Sequence, residues 1–115
     1  MTSNHREEIP RGNLDLLILK TLARGGPMHG FQIADFIQQT TEDLLQVEEG
    51  SLYPALQRML IKGWIEGDWG KTDENRRARY YRLTAEGRQQ LERELARYRR
   101  VAQAIARILQ PSEGG

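Results

Sequence analysis

Apolar residues recur along the chain at spacings that change from helical to alternating and back. Leu14, Leu17, Ile18 and Leu22 stand three or four apart, which gathers them on one face of a helix. Asn13 occupies the place of an N-cap, and Asp15 in the first turn complements the helix dipole. Gly25-Gly26-Pro27 ends that helix. A second helix is predicted with Phe31, Ile33, Ala34 and Ile37 inward, fading into Gln38-Gln39-Thr40-Thr41. Residues 42–48 carry Leu44, Leu45 and Val47, which require burial, but the stretch fits a helical turn or a short strand equally well. Ser51 to Lys62 reads as a third helix with Leu52, Leu56, Met59 and Leu60 on its core side. Pro54 is expected in its first turn, where no i−4 hydrogen bond is lost, and Gly63 stops it.

Beyond Gly63 the period shortens. Trp64 to Trp69 partly alternates, and Tyr80-Tyr81-Arg82-Leu83 follows the polar stretch from Gly70 to Arg79. This predicts a β-hairpin with an extended tip. Thr84 caps a last helix, with Glu86 in its first turn, that runs to about Leu109. Three helices, a two-stranded ribbon and a long helix give a mainly α fold with a small β-hairpin, the layout of a winged helix-turn-helix domain. The expected divisions are a flexible tail over 1–11, a winged helix-turn-helix DNA-binding domain over 12–83, a dimerisation helix over 84–110 and a flexible tail over 111–115.

The last helix, Thr84 to Leu109, is 26 residues, or about 39 Å at 1.5 Å per residue. The ~80 residues before it would form a globule roughly 30 Å across, too small to cover it. Its apolar residues nevertheless continue to the end: Leu91, Leu95, Tyr98, Val101, Ala102, Ile105, Ile108 and Leu109. An exposed stripe of this kind is seldom left bare. Two-fold pairing through this helix, giving a homodimer, covers it most simply; folding back over its own domain is the alternative.

A length of 115 residues allows one domain. Absence of cysteine removes disulfides, thiolate metal sites and cysteine nucleophiles, and accords with a reducing, cytoplasmic setting. The longest apolar run is Leu16 to Leu19, far short of a membrane span, and MTSNHREEIP lacks the apolar core of a signal peptide. A net charge of +1 gives no pointer to nucleic acid. Its distribution does: residues 1–70 hold six Lys/Arg against ten Asp/Glu, and residues 71–115 hold eleven against six. Such asymmetry suggests a polyanion partner, or else a solvated arginine-rich helix.

The third helix presents Ser51, Tyr53, Pro54, Gln57, Arg58 and Lys62 away from its apolar side. Hydroxyls and amides of this kind bond phosphates or base edges. Lys71, Arg76, Arg77 and Arg79 surround the hairpin tip, where they suit phosphate contact or entry into a narrow minor groove. Blander roles compete: Ser51 as an N-cap, Tyr53 as a packing aromatic, Arg58 paired with an acid, and Arg76 and Arg77 simply solvated. His29 beside Gly30 reads as a capping residue, and His5 and His29 have no partner at metal-ligand spacing. Glu48-Glu49 can accept from cytosine or stabilise a helix start. Trp64 and Trp69 read as core packing rather than a ligand cage. No phosphate loop, nucleophile–base pair or cofactor motif stands out, so an enzyme is not expected.

GNLDLLILKTL (Gly12 to Leu22), PMHGFQI (Pro27 to Ile33), VEEGSLYPALQRMLIKGWI (Val47 to Ile65) and RRARYYRLTAEG (Arg76 to Gly87) together resemble the PadR family of bacterial transcriptional regulators. The Gly-Ser-Leu-Tyr-Pro run, His29-Gly30 and the paired tyrosines carry that resemblance; Thr84 to Gly87 alone is shared by many winged-helix proteins. The resemblance implies a repressor that binds a double-stranded DNA operator as a homodimer through its C-terminal helix. Relatives often control genes for detoxification or transport, and some hold phenolic acids or planar drugs near the dimer interface. Drug-binding relatives can use a tryptophan on the last helix. This chain has only Tyr98 there, which leaves a small aromatic effector open. A winged-helix adaptor that uses the long helix to bind a protein partner is the competing reading.

Overall fold

The computed structural model of the protein describes residues 6–10 and 12–111. In chain order these form β1 (Glu7–Glu8), α1 (Leu14–Gly25), β2 (Met28–His29), α2 (Gly30–Thr40), β3 (Leu45–Gln46), α3 (Glu49–Lys62), β4 (Ile65–Lys71), β5 (Arg77–Leu83) and α4 (Ala85–Leu109). A three-stranded antiparallel sheet has the order β2-β5-β4, and β1 pairs in parallel with β3. The winged helix-turn-helix layout is thus present: three helices, a ribbon and a long final helix.

Helix α1 lies at the centre, against α2, α4 and β5. It therefore buries Leu16 and Leu19 as well as the expected Ile18 and Leu22, while Leu14 and Leu17 are half-buried. Asn13 is not the side-chain cap that its position suggests. Its backbone is already helical (φ −98°, ψ −15°), and no cap hydrogen bond forms, since capping needs extended backbone. Helix α2 buries Ile33 and Ile37, but Phe31 is 71% exposed. Two residues are about 200° of helix, so Phe31 cannot share a face with Ile33. His29 does cap α2: its Nδ1 accepts from the Gln32 N–H at 3.4 Å, and the Gln32 side chain accepts from the His29 N–H at 3.0 Å.

After α2, Glu42 and Asp43 take left-handed backbone (φ 53° and 69°), and the chain enters the short strand β3. Glu7 donates to the Leu44 carbonyl at 2.7 Å, and Ile9 packs on the core. Residues 6–10 are thus held in place rather than forming part of a free tail. Residues 1–5 and 11, and the expected tail after Pro111, lie outside the described residues. Helix α3 begins at Glu49, two residues before Ser51, and Glu48 takes the N-cap position without a side-chain bond. Pro54 consequently falls in the second turn and removes the donor for the Gly50 carbonyl. Gly50 is exposed, so water can replace it.

The two wing strands are longer than expected. Trp69 pairs with Arg79, Gly70 with Ala78 and Lys71 with Arg77, so only residues 72–76 form the tip. There the Thr72 hydroxyl accepts from the N–H of Glu74 (3.3 Å) and Arg76 (3.2 Å), while Asn75 is left-handed (φ 64°). The core beneath is built from Ile18, Leu19, Ile33, Leu52, Leu56, Met59 and Ile65, each almost wholly buried. Thr84 locks the wing to α4, since its hydroxyl accepts from the Gly87 N–H (2.9 Å) and donates to the Gly63 carbonyl (2.6 Å). Helix α4 then leaves the globule, which stretches the molecule to 63 × 40 × 22 Å.

Candidate nucleic-acid interface

Helix α3 turns Leu52, Ala55, Leu56 and Met59 into the core, which forces Ser51, Tyr53, Pro54, Gln57, Arg58 and Lys62 outward. All six are exposed, but they do not form one cluster. Ser51, Tyr53 and Pro54 lie in the amino-terminal half of the helix and Gln57 just past its middle. Lys62 stands about 16 Å along the axis from Ser51, with its Nζ 5.1 Å from the centre of the Trp64 ring. Arg58 bonds Asp15 of α1 at 2.5 Å, the acid pairing that competes with a DNA role. Glu48 and Glu49 are exposed at the helix start, where their charge complements the dipole. Tyr53 lies across the start of α2: a Cβ on Gly30 would stand 2.6 Å from its hydroxyl.

The hairpin has two chemically different faces because successive strand residues point to opposite sides. Ile65, Gly67, Trp69 and Lys71 share one face with Arg77, Arg79, Tyr81 and Leu83. Ile65 and Tyr81 on it are buried against the core. Past the edge of the core this inner face carries Lys71, Arg77 and Arg79 and no acid. The outer face carries Glu66 and Asp68, and Arg82 bonds both, Glu66 at 2.6 Å. These two carboxylates push the Arg82 guanidinium pKa upward, through its hydrogen bond to Asp68 first and then their charges. The outer cation is therefore neutralised in place, and the inner cations are not.

Trp69 is a correction. It is 59% exposed rather than packed in the core, because β4 runs beyond the globule before reaching it. The Arg77 guanidinium sits 4.4 Å over its ring. Trp64 does pack against the core. Arg76 lies in the tip and Arg77 and Arg79 in the strand. Asp73 and Glu74 share the tip with Arg76, two carboxylates that the sequence displays and that weaken the tip as a phosphate contact. Arg79 is half-buried. Burial raises the Tyr81 phenol above its ordinary 10.0, partly offset by the Arg79 charge and reinforced by Tyr53.

The apolar seam of α4 divides near its middle. Leu91 is buried in the chain's own core and Leu95 packs against it, so Leu91 is not available to a partner. Beyond them Tyr98, Val101, Ala102, Ile105, Ile108 and Leu109 are exposed. An open groove of about 510 Å³ runs between this half of α4 and the start of α1, lined among others by Pro10, Leu16, Tyr98, Val101, Ile105 and Leu109. Among the described residues no group of three His, Asp or Glu side chains is placed to hold a metal ion, and no helix is long and apolar enough to cross a membrane.

Comparison with known proteins matches this architecture. The family model described as "Transcriptional regulator PadR-like family" matches residues 18–93. A protein of unassigned function from Lysinibacillus sphaericus is 32% identical over 83 residues, 72% of this chain and 75% of that one. A transcriptional regulator from Clostridium thermocellum superimposes with a TM-score of 0.79 at 28% identity, covering 87% of this chain and 96% of that one. Bacillus subtilis PadR, solved in complex with operator DNA, shares the fold with a TM-score of 0.64 at 24% identity, covering 75% of this chain and 48% of that one.

Proposed function

Because the chain belongs to the PadR-like family of transcriptional regulators, we propose that it acts as a sequence-specific repressor, bound as a homodimer to a pseudo-palindromic operator. DNA-binding regulation, rather than catalysis, is the function of this family. The observation that carries the finer reading is the one-sided charge of the wing. Lys71, Arg77 and Arg79 lie on the inner face, which carries the buried Ile65 and Tyr81 at its core end, while Arg82 on the other face is neutralised by Glu66 and Asp68. A ribbon that gathers these cations on one face suits a polyanion docked along that face.

In this reading Ser51, Tyr53, Pro54 and Gln57 on the exposed side of α3 enter the major groove, the geometry in which helix-turn-helix proteins read bases. Arg77, backed by Trp69, takes a phosphate. Arg58 and Lys62 contribute less, being engaged with Asp15 and Trp64. The domain assignment follows: residues 12–83 bind DNA and α4 joins two copies. Tyr98, Val101, Ala102, Ile105, Ile108 and Leu109 form the contact, since they stay exposed among the described residues. Two-fold symmetry then sets half-sites about one helical turn apart, or a multiple of it. Selection of bound sequences from a random duplex pool, followed by footprinting, tests the reading. A palindromic consensus protected over two half-sites is expected; equal affinity for all sequences would overturn sequence-specific repression.

A further inference from the structure

Arg79 differs from the other wing cations in where its side chain lies. Lys71 and Arg77 are exposed, whereas Arg79 is half-buried, and its Nε is closed to solvent without a hydrogen-bond partner among the described residues. Its seat is Gly67 on the neighbouring strand. A Cβ there would stand 2.5 Å from the Arg79 Nε and 3.2 Å from its Cγ and Cζ. The guanidinium thus lies against bare strand backbone, a place that any side chain at position 67 would fill. Among the described residues no Asp or Glu forms an ion pair with it. Tyr81, buried in the core, is the next inner-face residue on the same strand. A permanently charged planar group is therefore held in a set position on the inner face of the wing.

We propose that Arg79, seated on Gly67, receives one phosphate of the DNA backbone, and that Gly67 is the positioning residue of this subsite. The proposal rests on the DNA-binding reading above. A guanidinium matches a phosphate by parallel N–H bonds; with the Arg79 Nε closed off, these come from its two terminal nitrogens. Arg77 is held differently: it rides on an exposed ring and can follow the duplex. Arg79 is fixed before DNA arrives, so it sets where the backbone lies relative to both α3 and the wing.

The test uses the full chain and a labelled mixed-sequence duplex of about 30 base pairs, because a phosphate contact does not depend on sequence. Fluorescence anisotropy across ~50–200 mM salt gives the affinity and its salt slope. Arg79→Gln is expected to weaken binding about tenfold and lower the slope by about one phosphate equivalent. Gly67→Ala, which leaves every charge in place, is expected to weaken binding comparably, and the double variant to lose no more than Arg79→Gln alone. Circular dichroism confirms folding. Should Gly67→Ala unfold, Arg79→Lys carries the arm, with the slope retained but affinity lost through missing bidentate geometry. A wild-type slope and affinity in Arg79→Gln overturns the subsite. Additive losses in the double variant, or wild-type affinity in Gly67→Ala, overturn the positioning role. A wild-type chain that binds the duplex without salt dependence would overturn the DNA-binding reading itself.

Discussion

Ile105→Glu is expected to convert the proposed homodimer to monomers while leaving the winged domain folded. Tyr98, Val101, Ile105, Ile108 and Leu109 are 47%, 50%, 51%, 82% and 75% exposed, about three whole apolar side chains' worth of surface per copy. At ~1.5–3 kcal/mol for each fully buried side chain, and with two copies contributing, covering them yields roughly 9–18 kcal/mol before costs. Association itself costs ~4–15 kcal/mol, so the surplus is modest and one substitution can consume it. Ile105 has half its surface still to bury, worth about 1 kcal/mol per copy. Two-fold symmetry doubles the loss, and forcing a carboxylate into the seam adds a desolvation penalty in each copy. A total of about 3 kcal/mol or more corresponds to a rise in Kd of roughly a hundredfold or more. Sedimentation velocity over ~1–200 μM reads this directly. Ile61, 77% exposed on α3 and away from the groove, supplies the control: Ile61→Glu should leave assembly unchanged. Wild-type dimerisation in Ile105→Glu, or a wild-type chain that remains monomeric at ~200 μM, would refute the reasoning.

Three further outcomes follow from the described contacts. Arg58→Ala should lower Tm by a few degrees at most, because its pair with Asp15 is partly exposed and such pairs contribute about 0–1 kcal/mol; its duplex affinity should fall less than that of Arg77→Ala. His29→Ala should cost about 0.5–2 kcal/mol in urea unfolding by removing the α2 capping box, and His29→Asn should recover most of it. Tyr81 has a folded-state pKa above 10.0, so its contribution is complete below that value and is lost as pH rises through the raised one, where the unfolded chain binds fewer protons. Stability measured between pH 9 and 11 should therefore decline less steeply in Tyr81→Phe than in the wild type; parallel declines would contradict that account.

The elements with strong periodic signals were legible from the chain alone. Ile18, Leu22, Ile33, Ile37, Leu52, Leu56 and Met59 were all assigned inward by spacing and are buried. His29 is legible as a cap from its place beside Gly30 at a helix start, and its partner Gln32 emerges from the structure. Strand ends were not: nothing in Gly70, Lys71 or Arg77 favours pairing by itself, and their ladder exists because Ile65 and Tyr81 fix the register at the core end. The exposure of Trp69 escaped for the same reason, since an aromatic residue in a strand reads as core until the strand is seen to outrun the globule. Glu7 and Glu8 carry no apolar signal, yet they pair with β3 through backbone groups, which a side-chain pattern does not record.

By itself the sequence determined the order of helices and ribbon, the separation of acidic and basic parts, and an apolar seam too long for one domain. Spacing and charge are properties of the chain, so they need no neighbours to be read. Only the tertiary structure decided which of those residues face one another. It divided the α4 seam at Leu95 into a half owned by the core and a half left bare. It tied Arg58 to Asp15, 43 residues away in sequence, and neutralised Arg82 between Glu66 and Asp68. It also laid Arg79 across Gly67. Each of these is a contact between elements, set by strand register and helix packing, and it is through such contacts that a count of arginines becomes a charged face with a direction.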